Sequence, residues 1–113
     1  MSSKGVDWTN VEMQISHITG DSLEPFDADT ISNVRELVAF LQGRCPIPKV
    51  SKGYWRTILL YWEVTPDGPL QIEVFGDRFE VYRFKPTFGV WYEGHKSGQP
   101  FSPRFAAELP PTT

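Results

Sequence analysis

The stretch LLYWEVTPDGPLQIEVFGDRFEVYRF (59–84) decides the fold. β-Branched and aromatic residues alternate in it with polar ones, the period-two pattern of half-buried strands. Two breaks punctuate the alternation, Pro66-Asp67-Gly68 and Gly76-Asp77. Links this short join antiparallel neighbours, because parallel strands need a long crossover. Working outward, strands are expected at 54–65, 70–75, 78–84 and 88–93, with Lys85-Pro86-Thr87 as the last link. The expectation is a four-stranded antiparallel meander.

The register follows from the turns. With Gly76-Asp77 as a two-residue loop, Val74 faces Phe79, Glu73 faces Glu80 and Ile72 faces Val81. Setting Val64 opposite Leu70 brings Trp62 beside Ile72 and Leu60 beside Val74. Both hairpins then place Leu60, Trp62, Val64, Leu70, Ile72, Val74, Phe79 and Val81 on one face, and a one-residue slip would invert every side chain. The other face carries Leu59, Tyr61, Glu63, Gln71, Glu73, Phe75, Glu80 and Tyr82, with Trp91 joining from the fourth strand.

Upstream, DTISNVRELVAFL (29–41) reads as a helix capped by Asp29 or Thr30, with Ile31, Val34, Leu37, Val38 and Leu41 in one stripe. Gly43 closes it, and Pro46 and Pro48 prevent its continuation. The segment WTNVEMQISHI (8–18) fits both periods: Val11, Met13 and Ile15 alternate, while Trp8, Val11, Ile15 and Ile18 share one helical face. Gly20, a natural C-terminal stop, favours the helix. Gly20 to Ala28, with Pro25 and three acids, reads as an ordered loop. Beyond Glu93 the chain is rich in Gly and Pro, and Ser102-Pro103 can cap a short helix through Leu109. The fold class is α+β: one domain, 1–113, with two N-terminal helices on one face of the meander.

A helix like DTISNVRELVAFL, the PIPKV loop (46–50) and a Trp-bearing meander together resemble small uncharacterised bacterial proteins. The resemblance covers most of 8–84 and implies only the fold. The loop after the first helix departs from that pattern in lacking an aromatic-Asp-Gly signal, and no functional residue is carried over.

Composition narrows the function classes. The chain has 113 residues, 40% apolar and 14% aromatic, enough for a packed core. A single cysteine, Cys45, excludes an internal disulfide and a cysteine-based zinc site. MSSKGVDWTN has no apolar region, so no signal peptide is expected. No apolar run is longer than Ile58 to Trp62, far below the about 20 residues a bilayer needs, so the expected location is the cytoplasm without membrane contact. The net charge of −3 is unevenly spread. Residues 1–43 hold two basic against seven acidic residues, a balance of −5. Residues 44–113 hold nine against seven, a balance of +2.

Catalysis has little support in the residues. His17 and His95 are far apart and lack metal-ligand spacing, so no metal or cofactor is expected. Arg44 beside Cys45 would lower a thiol pKa, but a nucleophile needs a base and an oxyanion site as well. Glu73 and Glu80, directly opposed, have the placement of an acid–base dyad for a weak hydrolase. Pairing with Arg78, Arg56 or Arg83, or screening by water, is the simpler account. No catalytic residue is assigned.

The expected function is therefore a non-enzymatic protein-binding module, of the inhibitor, antitoxin, immunity-factor or phage-defence antagonist kind. It would engage a basic partner through Tyr61, Glu63, Glu73, Phe75, Glu80, Tyr82 and Trp91. Substitutions of Glu73, Glu80 or Tyr82 are then expected to leave stability nearly unchanged. The tail, with Phe101 and Phe105, is the other candidate to cover this face, and a symmetric dimer through it is a further arrangement. The alternative function is a nucleic-acid-binding accessory protein using Arg44, Lys49, Lys52, Tyr54, Trp55 and Arg56, where cations meet phosphates and rings stack on bases.

Overall fold

A computed structural model describes residues 4–20, 25–84 and 88–111. The acidic loop at 21–24 and the link Lys85-Pro86-Thr87 lie outside the described residues. The chain runs α1 (Lys4–Gly20), α2 (Ala28–Leu41), β1 (Lys49–Lys52), β2 (Ile58–Trp62), β3 (Leu70–Val74), β4 (Arg78–Arg83), β5 (Gly89–Gly94) and α3 (Pro103–Glu108). The five strands form one antiparallel sheet in the order β1-β2-β3-β4-β5.

Five strands replace the four expected, because the run 54–65 shortens to β2 and a further strand forms upstream of it. The added strand is KVSK, hidden inside the basic segment. Only Val50 in it is apolar, and lysines on an edge strand blunt unwanted pairing while erasing the alternation that would reveal the strand. The chain then reverses over 53–57, where the Gly53 N–H donates to the Thr57 carbonyl at 2.8 Å.

The β3–β4 register is as expected, with Ile72↔Val81, Glu73↔Glu80 and Val74↔Phe79. Gly76 has no left-handed φ there. It is needed for room, since a Cβ at this position would lie 2.6 Å from Asp27 Oδ2 at the start of α2. The β2–β3 register is displaced by two residues, pairing Trp62 with Leu70, Leu60 with Ile72 and Ile58 with Val74. A two-residue shift keeps every side chain on its face but moves Val64 off the sheet, where it is 84% exposed. The turn causes this. Gly68, at φ 90°, donates its N–H to the Thr65 carbonyl at 3.0 Å, and the Asp67 N–H reaches Thr65 Oγ1 at 3.2 Å, so the link consumes 63–69.

The segment 8–18 is helical, and Trp8, Val11 and Ile15 enter the core. α2 begins earlier than Asp29 or Thr30, with Asp27 at the N-cap and no side-chain cap bond. Thr30 is instead buried in the first turn. Gly43, at φ 81°, ends the helix as expected. The helices pack on one face of the sheet, burying Ile58, Leu60, Trp62, Leu70, Ile72, Val74, Phe79 and Val81 against Val34, Leu37, Val38 and Leu41. Asn33 of α2 donates to the carbonyls of Phe75 and Gly76 at 3.0 and 3.1 Å, pinning the helix to the hairpin tip.

The tail closes the same layer. Ser102 Oγ caps α3 by accepting from the Phe105 N–H at 3.0 Å, with Pro103 in the first turn. Phe105 stacks on Phe79 with centroids 4.9 Å apart, and Phe101 stacks on His95 at 4.9 Å. The buried His95 lies 3.3 Å from Glu36 of α2. Glu36 also accepts from the Ser97 hydroxyl and from the Gly98 N–H at 3.0 Å. These donors, Ser97 first, hold the Glu36 carboxyl below its usual pKa. His95 is thus a tether between tail and helix. No helix among the described residues is long and apolar enough to cross a membrane.

Candidate binding face on the open side of the sheet

The pairings lay the outward side chains in two rows across all five strands. One row runs Lys49, Tyr61, Gln71, Tyr82, Val90, and the other Ser51, Leu59, Glu73, Glu80, Tyr92. Phe101 and Phe105 stack on Phe79, in the core between sheet and helices, so the tail does not cover these rows. Lys49, Ser51, Tyr54, Leu59, Tyr61, Pro69, Gln71 and Phe84 line a groove of about 730 Å³ there. Phe84 sits 5.6 Å from Phe88, which lies 6.5 Å from Tyr82.

The carboxylates on this face are occupied from within the chain. Glu73 is only 1% exposed because the reversal at 53–57 closes over it. Its Oε2 accepts from the Tyr54 N–H at 3.0 Å and from the Thr57 hydroxyl at 2.5 Å. A Cβ at Gly53 would lie 2.7 Å from the same oxygen, so a glycine is required for the approach. Glu80 takes the Arg78 Nε at 2.9 Å and the Tyr82 hydroxyl at 2.8 Å. Tyr82 also lies 3.4 Å from Glu73, and burial, then the two carboxylates, push its phenol well above the usual tyrosine pKa. Glu63 is in reach of Lys49 at 3.7 Å.

Several expected site residues change meaning. Glu73 is a buried acceptor rather than a surface charge, so its substitution affects folding. Phe75 carries the Arg78 guanidinium 3.9 Å over its ring at the hairpin tip. Trp91 pairs with Val81 and therefore lies on the helix-covered face, beneath Arg104 at 4.0 Å and edge-on to Phe105. Tyr61 and Tyr82 remain on the open face, half-buried in its central strands. Val90 and Tyr92 stand on that face where Trp91 was expected. In the run Val90-Trp91-Tyr92 only the pairing partner reveals which side chain faces inward, and no register for β5 was readable from the link before it.

The basic segment is not one surface. Arg44 lies 4.3 Å over the Phe40 ring at the end of α2. Lys49 and Lys52 fall on opposite faces of β1, and Lys52 Nζ donates to the Trp55 carbonyl at 2.6 Å. Tyr54 and Trp55 stand at the hairpin tip, 71% and 69% exposed, followed by Arg56. Cys45 is buried, and desolvation pushes its thiol up to about 11 despite the nearby Arg44. Among the described residues, no three His, Cys, Asp or Glu side chains gather where they could hold a metal ion.

Chemically, the face offers rings, amides and hydroxyls around a shallow groove, with Glu73 enclosed and Glu80 paired. That composition suits contact better than proton transfer, because a general acid must reach its substrate. Comparison with known proteins finds no matching family model, no matching curated protein and no matching solved structure.

Proposed function

We propose that this chain is a non-enzymatic protein-binding module of the cytoplasm, in the manner of a small inhibitor, that seats its partner on the open side of the sheet. One observation carries the reading: the groove lined by Tyr54, Tyr61 and Phe84 lies on the sheet face opposite the helices. Tyrosine supplies contact area at low entropic cost and anchors interfaces beyond its abundance. The carboxylates are satisfied internally, so the rings rather than an acidic field provide the affinity. A photocrosslinking residue at Tyr61, compared with one at Met13 on α1, tests this in native lysate. The expected result is one protein captured reproducibly from the sheet side alone, and bound roughly tenfold or more weakly by Tyr61→Ala. No reproducible capture from position 61, at low and moderate salt, refutes the reading.

A second reading has one observation in its favour, the paired exposure of Tyr54 and Trp55 beside Arg56 and Lys52. Stacking of unpaired bases on these rings predicts salt-sensitive binding of single-stranded oligonucleotides. Absence of any anisotropy change at low salt removes it.

A further inference from the structure

We propose that the free edge of β5 pairs with the β5 of a second copy, joining two meanders about a two-fold axis into one continuous sheet. The two edges of this sheet are unequally protected. β1 has four residues, a lysine at each end and α1 packed against it. Such features discourage strand addition. β5 has six residues, GVWYEG, with no proline, no lysine and one charge, Glu93. No strand pairs with its far side among the described residues. Phe88 and Tyr92 flank that side 62% and 63% exposed, and a Cβ at either Gly89 or Gly94 would meet nothing within 4 Å.

The ladder fixes which groups point outward. The His95 N–H donates to the Asp77 carbonyl at 3.0 Å, which sets the phase of the β4–β5 pairing. Bonded and non-bonded pairs alternate in an antiparallel ladder, so Gly89, Trp91 and Glu93 turn their backbone groups to β4. Val90, Tyr92 and Gly94 turn theirs to the free edge. A two-fold pairing must set outward residues against outward residues. Two registers keep most of the strand paired: Tyr92 opposite the second copy's Val90, or opposite the second copy's Tyr92. Both leave the helices of the two copies on the same side.

Charge selects a second copy as the occupant. Glu93 has no ion-pair partner among the described residues, and the Arg104 guanidinium is held over Trp91 without a carboxylate. In either register Glu93 stands opposite or diagonal to the second copy's Trp91, and so beside the Arg104 stacked on it. Symmetry makes this complementary contact twice. An unrelated strand would have to bring its own cation to that place.

Sedimentation velocity of the full chain, from about 1 µM to about 1 mM, is the test. A concentration-dependent dimer is expected. Val90→Pro removes an N–H that no strand of its own chain uses, so it should give a folded monomer. Glu93→Arg should weaken the dimer about tenfold, and adding Arg104→Glu should restore it. If circular dichroism shows Val90→Pro unfolded, the charge-swap pair decides. A monomer throughout the range overturns the proposal, as does a dimer indifferent to the Glu93 and Arg104 exchange.

Discussion

Removing the buried carboxylate of Glu73 should cost far more than any exposed glutamate. Glu73→Ala deprives the Tyr54 N–H and the Thr57 hydroxyl of their acceptor and leaves Tyr82 with Glu80 alone. Hydrogen bonds to a charged group contribute about 1.5–3 kcal/mol each, and two are strong here. The carboxylate's own desolvation is recovered on its removal, and Tyr54 can turn to water. The net loss should be about 2–4 kcal/mol, against less than about 0.5 kcal/mol for a solvated surface side chain. In a chain of this length that lowers Tm by roughly 8–16 °C. Urea unfolding followed by tryptophan fluorescence measures the loss, and an unchanged m-value confirms that the denatured state is unaltered. Thr57→Val, which removes one donor and keeps the shape, should lose about 1 kcal/mol. A Glu73→Ala loss below about 0.5 kcal/mol would mean that the 53–57 reversal does not close over the carboxylate, and the reasoning would fail.

Glu36, whose folded pKa is depressed, stabilises the tail above its unfolded value near 4.5, and that contribution disappears as pH falls through the folded pKa. Amide exchange at 95–109 should therefore accelerate in acid before that of β2 and β3, and Glu36→Gln should flatten this dependence. Cys45, with its thiol at about 11, should react with a thiol reagent at pH 8 roughly a hundredfold more slowly than an ordinary exposed cysteine. Trp91→Ala should lower stability by about 2 kcal/mol through its packing on Phe105, whereas Tyr92→Ala one residue on should change it by less than about 0.5 kcal/mol. Equal losses at the two positions would contradict the assigned faces of β5.

What could be read without coordinates was what short-range chemistry dictates. The β3–β4 hairpin was legible because a two-residue link leaves one register that keeps Ile72, Val74, Phe79 and Val81 together. The stripe of α2 and the Ser102-Pro103 cap were legible for the same reason, since each is settled within a few residues. The longer link at 63–69 was not, because Thr65 and Gly68 build a turn that consumes Glu63 and Val64 as well. β1 was illegible since its two lysines carry an edge strand's polarity. The burial of Glu73 was beyond reach in another way: it depends on Gly53, twenty positions away, offering no side chain where the oxygen sits. On the open face, Tyr61 and Tyr82 followed from strand parity, while Val90 and Tyr92 needed the β4–β5 pairing.

Every strand in this sheet pairs with its neighbour in sequence, so the ladder can assemble hairpin by hairpin with little loop closure. The tail is different: Glu36 holds Ser97 and Gly98 across some sixty residues. During synthesis the ring of Phe79 therefore waits, bare on its helix side, until Phe101 and Phe105 have left the ribosome. Throughout that wait the sheet, with α1 and α2 already synthesised to cover most of its apolar side, still shows that ring and the edge of β5 to other chains.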